Sequence, residues 1–199
     1  MMKSIKALIL KLLEEHRVMT IATNRPDGWP QATMVGYVND GFLLYCFVAR
    51  STQKYANILH DRRVSIAIGS DAPNPIDIKG LSLAGRAYEV TDQTEFDDMS
   101  KLRLKRYPEY ATAPQPTAND DAVRISPQPS PASIALLRIA PDVISVLDYS
   151  KGFGHSDLVT FSERDLDVHI ESLRHRWYGA IDAGSSGKDV VAKPGKGRA

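Results

Sequence analysis

Five consecutive residues, Arg50-Ser51-Thr52-Gln53-Lys54, combine hydroxyl groups with positive charge where a helix is predicted to begin. Free backbone N–H groups at a helix start, together with nearby hydroxyls, favour the binding of anions. Lys54, one turn into the helix, adds a point charge, and a terminal phosphate group requires this convergence of donors. The simpler alternative is that Ser51 or Thr52 only caps the helix while Lys54 faces solvent.

Short β-strands are predicted on both sides of this stretch. Apolar and polar residues alternate over residues 18–23, 30–38 and 42–48, and Asp-Gly sequences separate these segments, which is typical of an antiparallel meander. Further strands are predicted over residues 64–68, 79–90, 133–139, 143–147 and 158–161. Gly85, inside the longest of these strands, indicates a bulge or a close approach of two backbones.

Several helices are predicted to flank the strands. Apolar residues recur at steps of three and four over residues 5–13, and the anion-binding stretch leads into a helix over residues 52–60. Asp92 and Glu95 resemble a capping box, which opens a third helix. A further, polar helix is predicted over residues 165–178.

The chain of 199 residues suits a single domain, which we place at residues 1–181. The sequence contains no internal repeat and no second apolar core. Residues 107–132 hold six of the twelve prolines and are predicted to form an irregular excursion. Residues 182–199, rich in Gly, Lys and Ser, are predicted to be a disordered tail.

Charge and composition argue against two classes of partner. The 25 basic and 24 acidic residues leave a net charge of +1, so no overall field attracts nucleic acid or an anionic membrane. No apolar run is long enough to cross a bilayer, and the N-terminus lacks the features of a secretory signal. The single cysteine, Cys46, cannot form an internal disulfide and fits a reducing compartment. We therefore expect a cytoplasmic protein without nucleic-acid or membrane partners.

Motifs for several common chemistries are absent from the sequence. It contains no dinucleotide-binding glycine motif, no Walker loop, no nucleophile elbow and no zinc-protease motif. The five histidines lack the spacing of metal ligands, so no metal site is predicted. No side chain is identified as a catalytic acid, base or nucleophile.

The order of the remaining motifs resembles the pyridoxamine 5′-phosphate oxidase-like superfamily of flavin-binding split barrels. The motifs are Ala22-Thr23, Asp27-Gly28-Trp29-Pro30, Ser51-Thr52-Gln53-Lys54 with Asn57, and Gly85-Arg86-Ala87, in that order. The resemblance covers residues 16–90, with weaker agreement over residues 133–148. It implies a mainly β fold, a six-stranded antiparallel split β-barrel with flanking helices. The implied function is FMN-dependent oxidoreduction of a small organic molecule.

The resemblance also implies which residues bind the cofactor. Those that would hold the FMN phosphate lie at the start of the second helix: Ser51, Thr52, Gln53 and Lys54. Those that would line the edge of the isoalloxazine ring with their backbone form one strand: Ala32, Thr33, Met34 and Val35. Those that would lie beside the ribityl chain and the phosphate end the third strand: Phe47 and Val48.

Proteins of this superfamily form homodimers with two flavins at the subunit interface, and the resemblance implies the same here. Tyr37, Phe42, Tyr45 and Phe47 exceed what one small barrel can hold, which also predicts that some of them are buried between subunits. Two alternatives stay open. One is a deazaflavin-dependent reductase with the same phosphate cradle, and the other is a non-catalytic flavin- or haem-binding protein with a stress or storage role.

The sequence departs from the relatives that oxidise pyridoxine phosphates. They carry a basic residue in the second strand where this chain has Tyr37, and their C-terminal Arg–His substrate strand is not recognisable here. We therefore expect no activity on a pyridoxine phosphate. The glycine-rich residues 151–155 suit either a loop beside the substrate or a plain turn.

Overall fold

The structure is a computed structural model that describes residues 2–69, 71–112, 129–162 and 165–172. Within these ranges the chain forms nine strands of one antiparallel sheet and three flanking α-helices. The strands are β1 (Val18–Asn24), β2 (Pro30–Gly36), β3 (Val38–Asp40), β4 (Leu43–Ala49), β5 (Arg63–Gly69), β6 (Lys79–Glu89), β7 (Ile134–Asp148), β8 (Ser156–Ser162) and β9 (Asp165–Ser172). The helices are α1 (Met2–Glu15), α2 (Gln53–His60) and α3 (Gln93–Arg106).

The sheet is a curled half-barrel whose strands run in the order β2-β1-β5-β6-β7-β4-β3, with β8 and β9 branching from β7. β2 and β4 approach each other as the sheet curls, but they do not pair. This is the architecture of a split barrel, and the predicted fold class is confirmed. The described strands number nine rather than six, because β3 is a separate short strand and β8 and β9 extend the sheet.

The predicted meander forms fully in its first hairpin and only next to the turn in its second, where β3 pairs with the start of β4. β1 pairs with β2 along its length, through a turn in which Trp29 N–H donates to Asp27 Oδ1 (3.1 Å) and Gly28 has a φ of +82°. The strand predicted over residues 30–38 divides at Tyr37, and β4 pairs with β3 and β7 rather than with β2. Because β7 lies far along the chain, the local pattern does not reveal this pairing.

The polar helix predicted over residues 165–178 is wrong where the structure describes the chain. Asp165–Ser172 forms β9, which pairs antiparallel with β8. Leu166, Val168 and Ile170 recur at every second position, which is the period of a strand and outweighs the helical reading. The remainder of that prediction, residues 173–178, lies outside the described residues, as do the predicted tail at 182–199 and residues 113–128 of the proline-rich excursion.

Buried side chains form two clusters on opposite faces of β4. The first fills the interior of the curled sheet, which α1 closes with Ile9 and Leu13, both fully buried. The second lies between the outer face of β4 and α3, where Phe96 is buried and Met99 and Leu102 are partly buried, as their helical spacing predicts. β4 is therefore held from both sides.

The four aromatic residues expected to need a subunit interface find partners within the chain. Tyr37 and Tyr45 are buried in the single chain, at 3% and 4% exposure. Phe42 packs on the interior cluster, with its ring 5.0 Å from that of Phe161, and Phe47 packs under α3. Packing within the chain thus accounts for Tyr37 and Tyr45, whereas Phe42 and Phe47 stay partly exposed, so burial of some of these residues between subunits stays a prediction.

Gly85 lies at a bulge in β6, where its pairing with β7 shifts in register. The pairing register shifts between Ala84 and Gly85, and a Cβ atom added at Gly85 would lie 2.2 Å from the carbonyl oxygen of Ala140. Because this oxygen belongs to the backbone, it cannot move aside as the end of a flexible side chain would. The predicted bulge and close backbone approach are both confirmed.

Candidate functional site

One edge of β2 is bonded to β1, and the other, the open edge, has no strand partner among the described residues. Two backbone hydrogen bonds flank the β1–β2 ladder: Tyr37 N–H donates to Arg17 O (3.1 Å), and Arg25 N–H donates to Trp29 O (3.2 Å). Bonded and non-bonded residue pairs alternate in an antiparallel ladder. The odd-numbered residues of β2 therefore bond to β1, and the even-numbered ones direct their N–H and C=O groups toward the open edge.

The predicted ring-binding strand divides into two pairs of residues. Ala32 and Met34 turn their backbone groups to the open edge, and their side chains are exposed, Met34 at 73%. Thr33 and Val35 bond to β1 and turn their side chains toward the interior of the sheet. The hydroxyl oxygen of Thr33 is buried and has no hydrogen-bond partner in the described part of the chain.

β4 faces this open edge with an unpaired stretch of its own. β3 covers only Leu43 to Tyr45, so the later residues of β4 have no strand on that side within the part of the chain that the structure describes. Arg50 N–H donates to Ser133 O (2.9 Å), and by the same alternation the N–H and C=O of Phe47 point away from β7, toward the uncovered side. We call the gap bounded by Ala32, Met34 and Phe47 the open seam.

Phe47 and Val48, predicted to lie beside the cofactor, point their side chains in opposite directions. Val48 is buried in the interior cluster, whereas the Phe47 ring lies 5.7 Å from that of Phe96 and 4.6 Å from the guanidinium of Arg103. Only the backbone of Phe47 therefore faces the open seam.

Helix α2 begins without a side-chain cap. The Thr52 hydroxyl donates to Ala49 O (2.7 Å) instead of accepting from a helix amide, so the capping alternative does not describe this residue. Tyr55 and Ala56 N–H bind the carbonyl of Thr52. The N–H groups of Gln53 and Lys54 have no acceptor among the described residues, and they remain available to an anion.

The two cations of the predicted anion site have different environments. Arg50 donates to Tyr55 Oη (2.6 Å), to Pro131 O (2.8 Å) and to the Glu89 carboxylate, so its guanidinium is committed to the fold. Lys54 has no ion-pair or hydrogen-bond partner in the part of the chain that the structure describes. Lys54 is therefore the cation that can meet a ligand.

The charge of Lys54 also acts on the buried thiol of Cys46, in the middle of β4. Burial raises the pKa of the Cys46 thiol to about 12, while the nearby Lys54 ammonium acts in the opposite direction. The thiol therefore stays protonated at neutral pH and is not a nucleophile.

Glu89 joins three elements at the outer end of the site. Its carboxylate accepts hydrogen bonds from Arg50 at the end of β4 and from Tyr55 Oη of α2 (2.7 Å). The hydrogen bond from Arg50 lowers the pKa of the Glu89 carboxyl, and burial together with the bond to Glu89 raises the pKa of Tyr55. The ion pair thus fixes the turn that precedes α2.

Sequence analysis missed the polar network that connects α2 to β1 and β2. The sequence places Asn57 in the motif that begins at Ser51 but assigns it no role. In the structure its side chain is fully buried and bonded to Thr23, Gln31 and Gln53. Gln31 was not singled out. The available signal was its position two residues before Thr33, on the same face of a predicted strand.

Two other sequence candidates lie apart from this site. The Tyr37 hydroxyl donates to Leu13 O (2.8 Å) and is buried, so it attaches α1 to the sheet. Residues 151–155 connect β7 to β8, at the opposite end of β7 from Ser133, which bonds to Arg50 beside α2. Among the described residues, no group of His, Cys, Asp or Glu could hold a metal ion, and no helix is long and apolar enough to span a membrane.

Comparison with known proteins gives one family. The sequence profile of the pyridoxamine 5′-phosphate oxidase family matches residues 5–141. No curated protein matches the chain.

Solved structures share the fold at low sequence identity. A conserved hypothetical protein from Mycobacterium tuberculosis is 25% identical, with a TM-score of 0.56 over 73% of this chain and 85% of that one. A FAD-binding protein from Mesorhizobium loti is 20% identical (TM-score 0.53; 69% and 89%). The haem storage protein HutZ from Vibrio cholerae is 17% identical (TM-score 0.53; 68% and 88%).

Replacing Glu89 with Gln is expected to lower the free energy of unfolding at pH 7 by roughly 1–2 kcal/mol, because the charged partner of Arg50 is lost. The lowered pKa of Glu89 means that its ionised form stabilises the fold above the unfolded pKa of about 4.3, and that this contribution disappears as the pH falls through the folded pKa. Urea unfolding should therefore show a larger difference between wild type and Glu89→Gln at pH 7 than at pH 3.

Asp98→Asn is the matched control, because Asp98 pairs with Lys101 on the exposed face of α3 (3.1 Å). It should leave stability nearly unchanged at both pH values. A loss for Glu89→Gln that is as large at pH 3 as at pH 7 would contradict the role of its charge.

Proposed function

Because the chain belongs to the pyridoxamine 5′-phosphate oxidase family, we propose that it is an FMN-dependent oxidoreductase that acts on a small organic molecule. The proposed site is the open seam, with the FMN phosphate at the start of α2 and the isoalloxazine ring along the edge of β2. The observation that carries the proposal is the combination of two features among the described residues. Ala32 and Met34 have backbone groups without a strand partner, and Lys54, also without a partner, lies at the start of the helix that Asn57 joins to β2.

The start of α2 suits the phosphate end of the cofactor. The N–H groups of Gln53 and Lys54 are free to donate, and the Lys54 ammonium supplies the charge. Thr52 would have to exchange Ala49 O for a phosphate oxygen in order to donate its hydroxyl proton. Ser51 is exposed in the same turn.

The edge of β2 suits the ring, whose pyrimidine side carries both hydrogen-bond donors and acceptors. Ala32 and Met34 offer N–H and C=O groups in the same direction, so they can bind such an edge as a further strand would. Bound FMN would supply hydride or electron transfer, and the chain's own residues would orient it and exclude water. No side chain is assigned as a catalytic acid or base.

A homodimer is part of the proposal. Most outward side chains of β2, β1, β5 and β6 are small or uncharged: Val18, Thr20, Ala22, Ala32, Met34, Ser65, Ala67, Ser82 and Ala84. The paired Arg63 and Arg86 carry charge on the same face of β5 and β6. Paired residues such as Thr20, Met34 and Ala67 occupy one face and are exposed in the single chain. A second copy on this face would cover the ring.

The cytoplasm is the compartment we propose, since it would keep the lone cysteine reduced.

The absorbance spectrum of the purified protein tests the identity of the cofactor. Flavin bands are expected, and denaturation should release FMN. The alternatives to FMN include FAD and haem, because structures that share this fold include a FAD-binding protein and a haem storage protein. A deazaflavin band, a haem Soret band or FAD in the released fraction would contradict FMN as the cofactor.

Replacing Lys54 with Ala is expected to weaken FMN binding by about ten- to a hundredfold, because one charge-assisted hydrogen bond to the phosphate is lost. Riboflavin lacks the phosphate, so its affinity should hardly change. Titration of both ligands by flavin fluorescence measures the two dissociation constants.

Lys105→Ala is the control, because Lys105 is exposed on α3. It should leave both affinities unchanged. If Lys54→Ala weakens FMN and riboflavin equally, or weakens neither, the proposed phosphate site is wrong.

Replacing Ala67 with Arg is expected to convert the proposed dimer to a monomer and to reduce flavin content, because it places a charge at the centre of the outer face. Light scattering should give about twice the chain mass for wild type and for the control Thr94→Arg, which is exposed on α3. A wild-type monomer that binds FMN would contradict the interfacial site.

A further inference from the structure

The side chain of Asn57 is completely buried between α2 and the sheet, and every hydrogen-bonding group of its amide has a partner. Its Nδ2 donates to Thr23 Oγ1 and to Gln31 Oε1, both at 3.0 Å, and its Oδ1 accepts from Gln53 Nε2 at 2.8 Å. The amide therefore joins α2 to β1 and β2.

Packing alone does not require an amide at this position. The neighbouring buried residue of α2, Ile58, is apolar, and burying an amide is unfavourable unless it is fully bonded. A fully bonded buried amide restricts the helix to one position relative to its partners, because any shift breaks several hydrogen bonds at once. Asn57 thus fixes geometry as well as filling space.

The bonds of Asn57 end on the two halves of the proposed cofactor site. Gln53 provides one of the free amides at the start of α2, and Lys54 follows it. Gln31 directly precedes Ala32, whose backbone groups lie at the open seam. A single side chain therefore connects the phosphate end to the ring end.

We infer that Asn57 is a positioning residue that sets the spacing between the start of α2 and the edge of β2, and so makes the site selective for a phosphorylated flavin. The inference rests on the proposed function. A ligand that contacts both ends gains affinity only if their spacing matches its length, whereas a ligand that contacts one end does not depend on the spacing.

The test compares FMN with riboflavin, which keeps the ring and lacks the phosphate. Asn57→Ala is expected to weaken FMN binding by about tenfold while riboflavin binding stays within about twofold. Gln31→Met removes the acceptor at the β2 end and keeps a similar volume at a partly exposed position, so it should fold and reproduce the selective loss. In the Lys54→Ala background, removing Asn57 should weaken FMN binding by less than it does in wild type, because part of the phosphate contact that it positions is already lost.

Asn39→Ala is the matched control, since Asn39 is also a buried asparagine, with Nδ2 donating to Gly41 O (3.0 Å) and Oδ1 accepting from Arg106 (2.6 Å). It should lower the melting temperature but leave the ratio of the riboflavin and FMN dissociation constants unchanged. If Asn57→Ala and Gln31→Met behave like Asn39→Ala, Asn57 is only structural and the inference is overturned. If wild type does not prefer FMN to riboflavin, the proposed phosphate site fails, and this inference fails with it.

Discussion

β2 and β4 lie side by side without pairing, and the candidate site depends on this single interruption of the sheet. Unpaired backbone groups are costly when buried and can pair with a further strand when exposed, so this edge is a place where another molecule can bind. On the β4 side the gap begins where β3 stops, after pairing with three residues of β4.

The two cations next to the gap are used according to their chemistry. The planar guanidinium of Arg50 can donate in several directions at once, and it joins Tyr55, Glu89 and Pro131 from three different segments. Lys54 carries a compact charge on a flexible stem, which can follow a phosphate oxygen but cannot brace several elements. Committing Arg50 to the fold leaves Lys54 as the free charge and fixes the turn that presents it.

Sequence patterns predicted the parts of this arrangement that depend on neighbours in the chain. The alternation of residues 18–23 and the Asp27-Gly28 turn predict the β1–β2 hairpin, and Gly85 predicts the bulge. The pairing of β4 with β7 could not be predicted in this way, because it brings together segments that are distant in sequence. The bonded partners of Asn57 were missed for the same reason, since they come from a helix and two strands that meet only in the folded chain.

Tyr37 shows how the same fold can serve a different substrate. The resemblance places a basic residue in the second strand of relatives that oxidise pyridoxine phosphates, and this chain has Tyr37 there. The Tyr37 hydroxyl donates to Leu13 O, and burial raises its pKa well above the usual range, so it stays neutral and holds α1 against the sheet. A substrate phosphate would find no charge at this position, whereas the cofactor phosphate would still find Lys54. Under the proposed function, the chain would keep the charge suited to the cofactor phosphate and use the second-strand position for stability, which would favour a substrate without a phosphate group there.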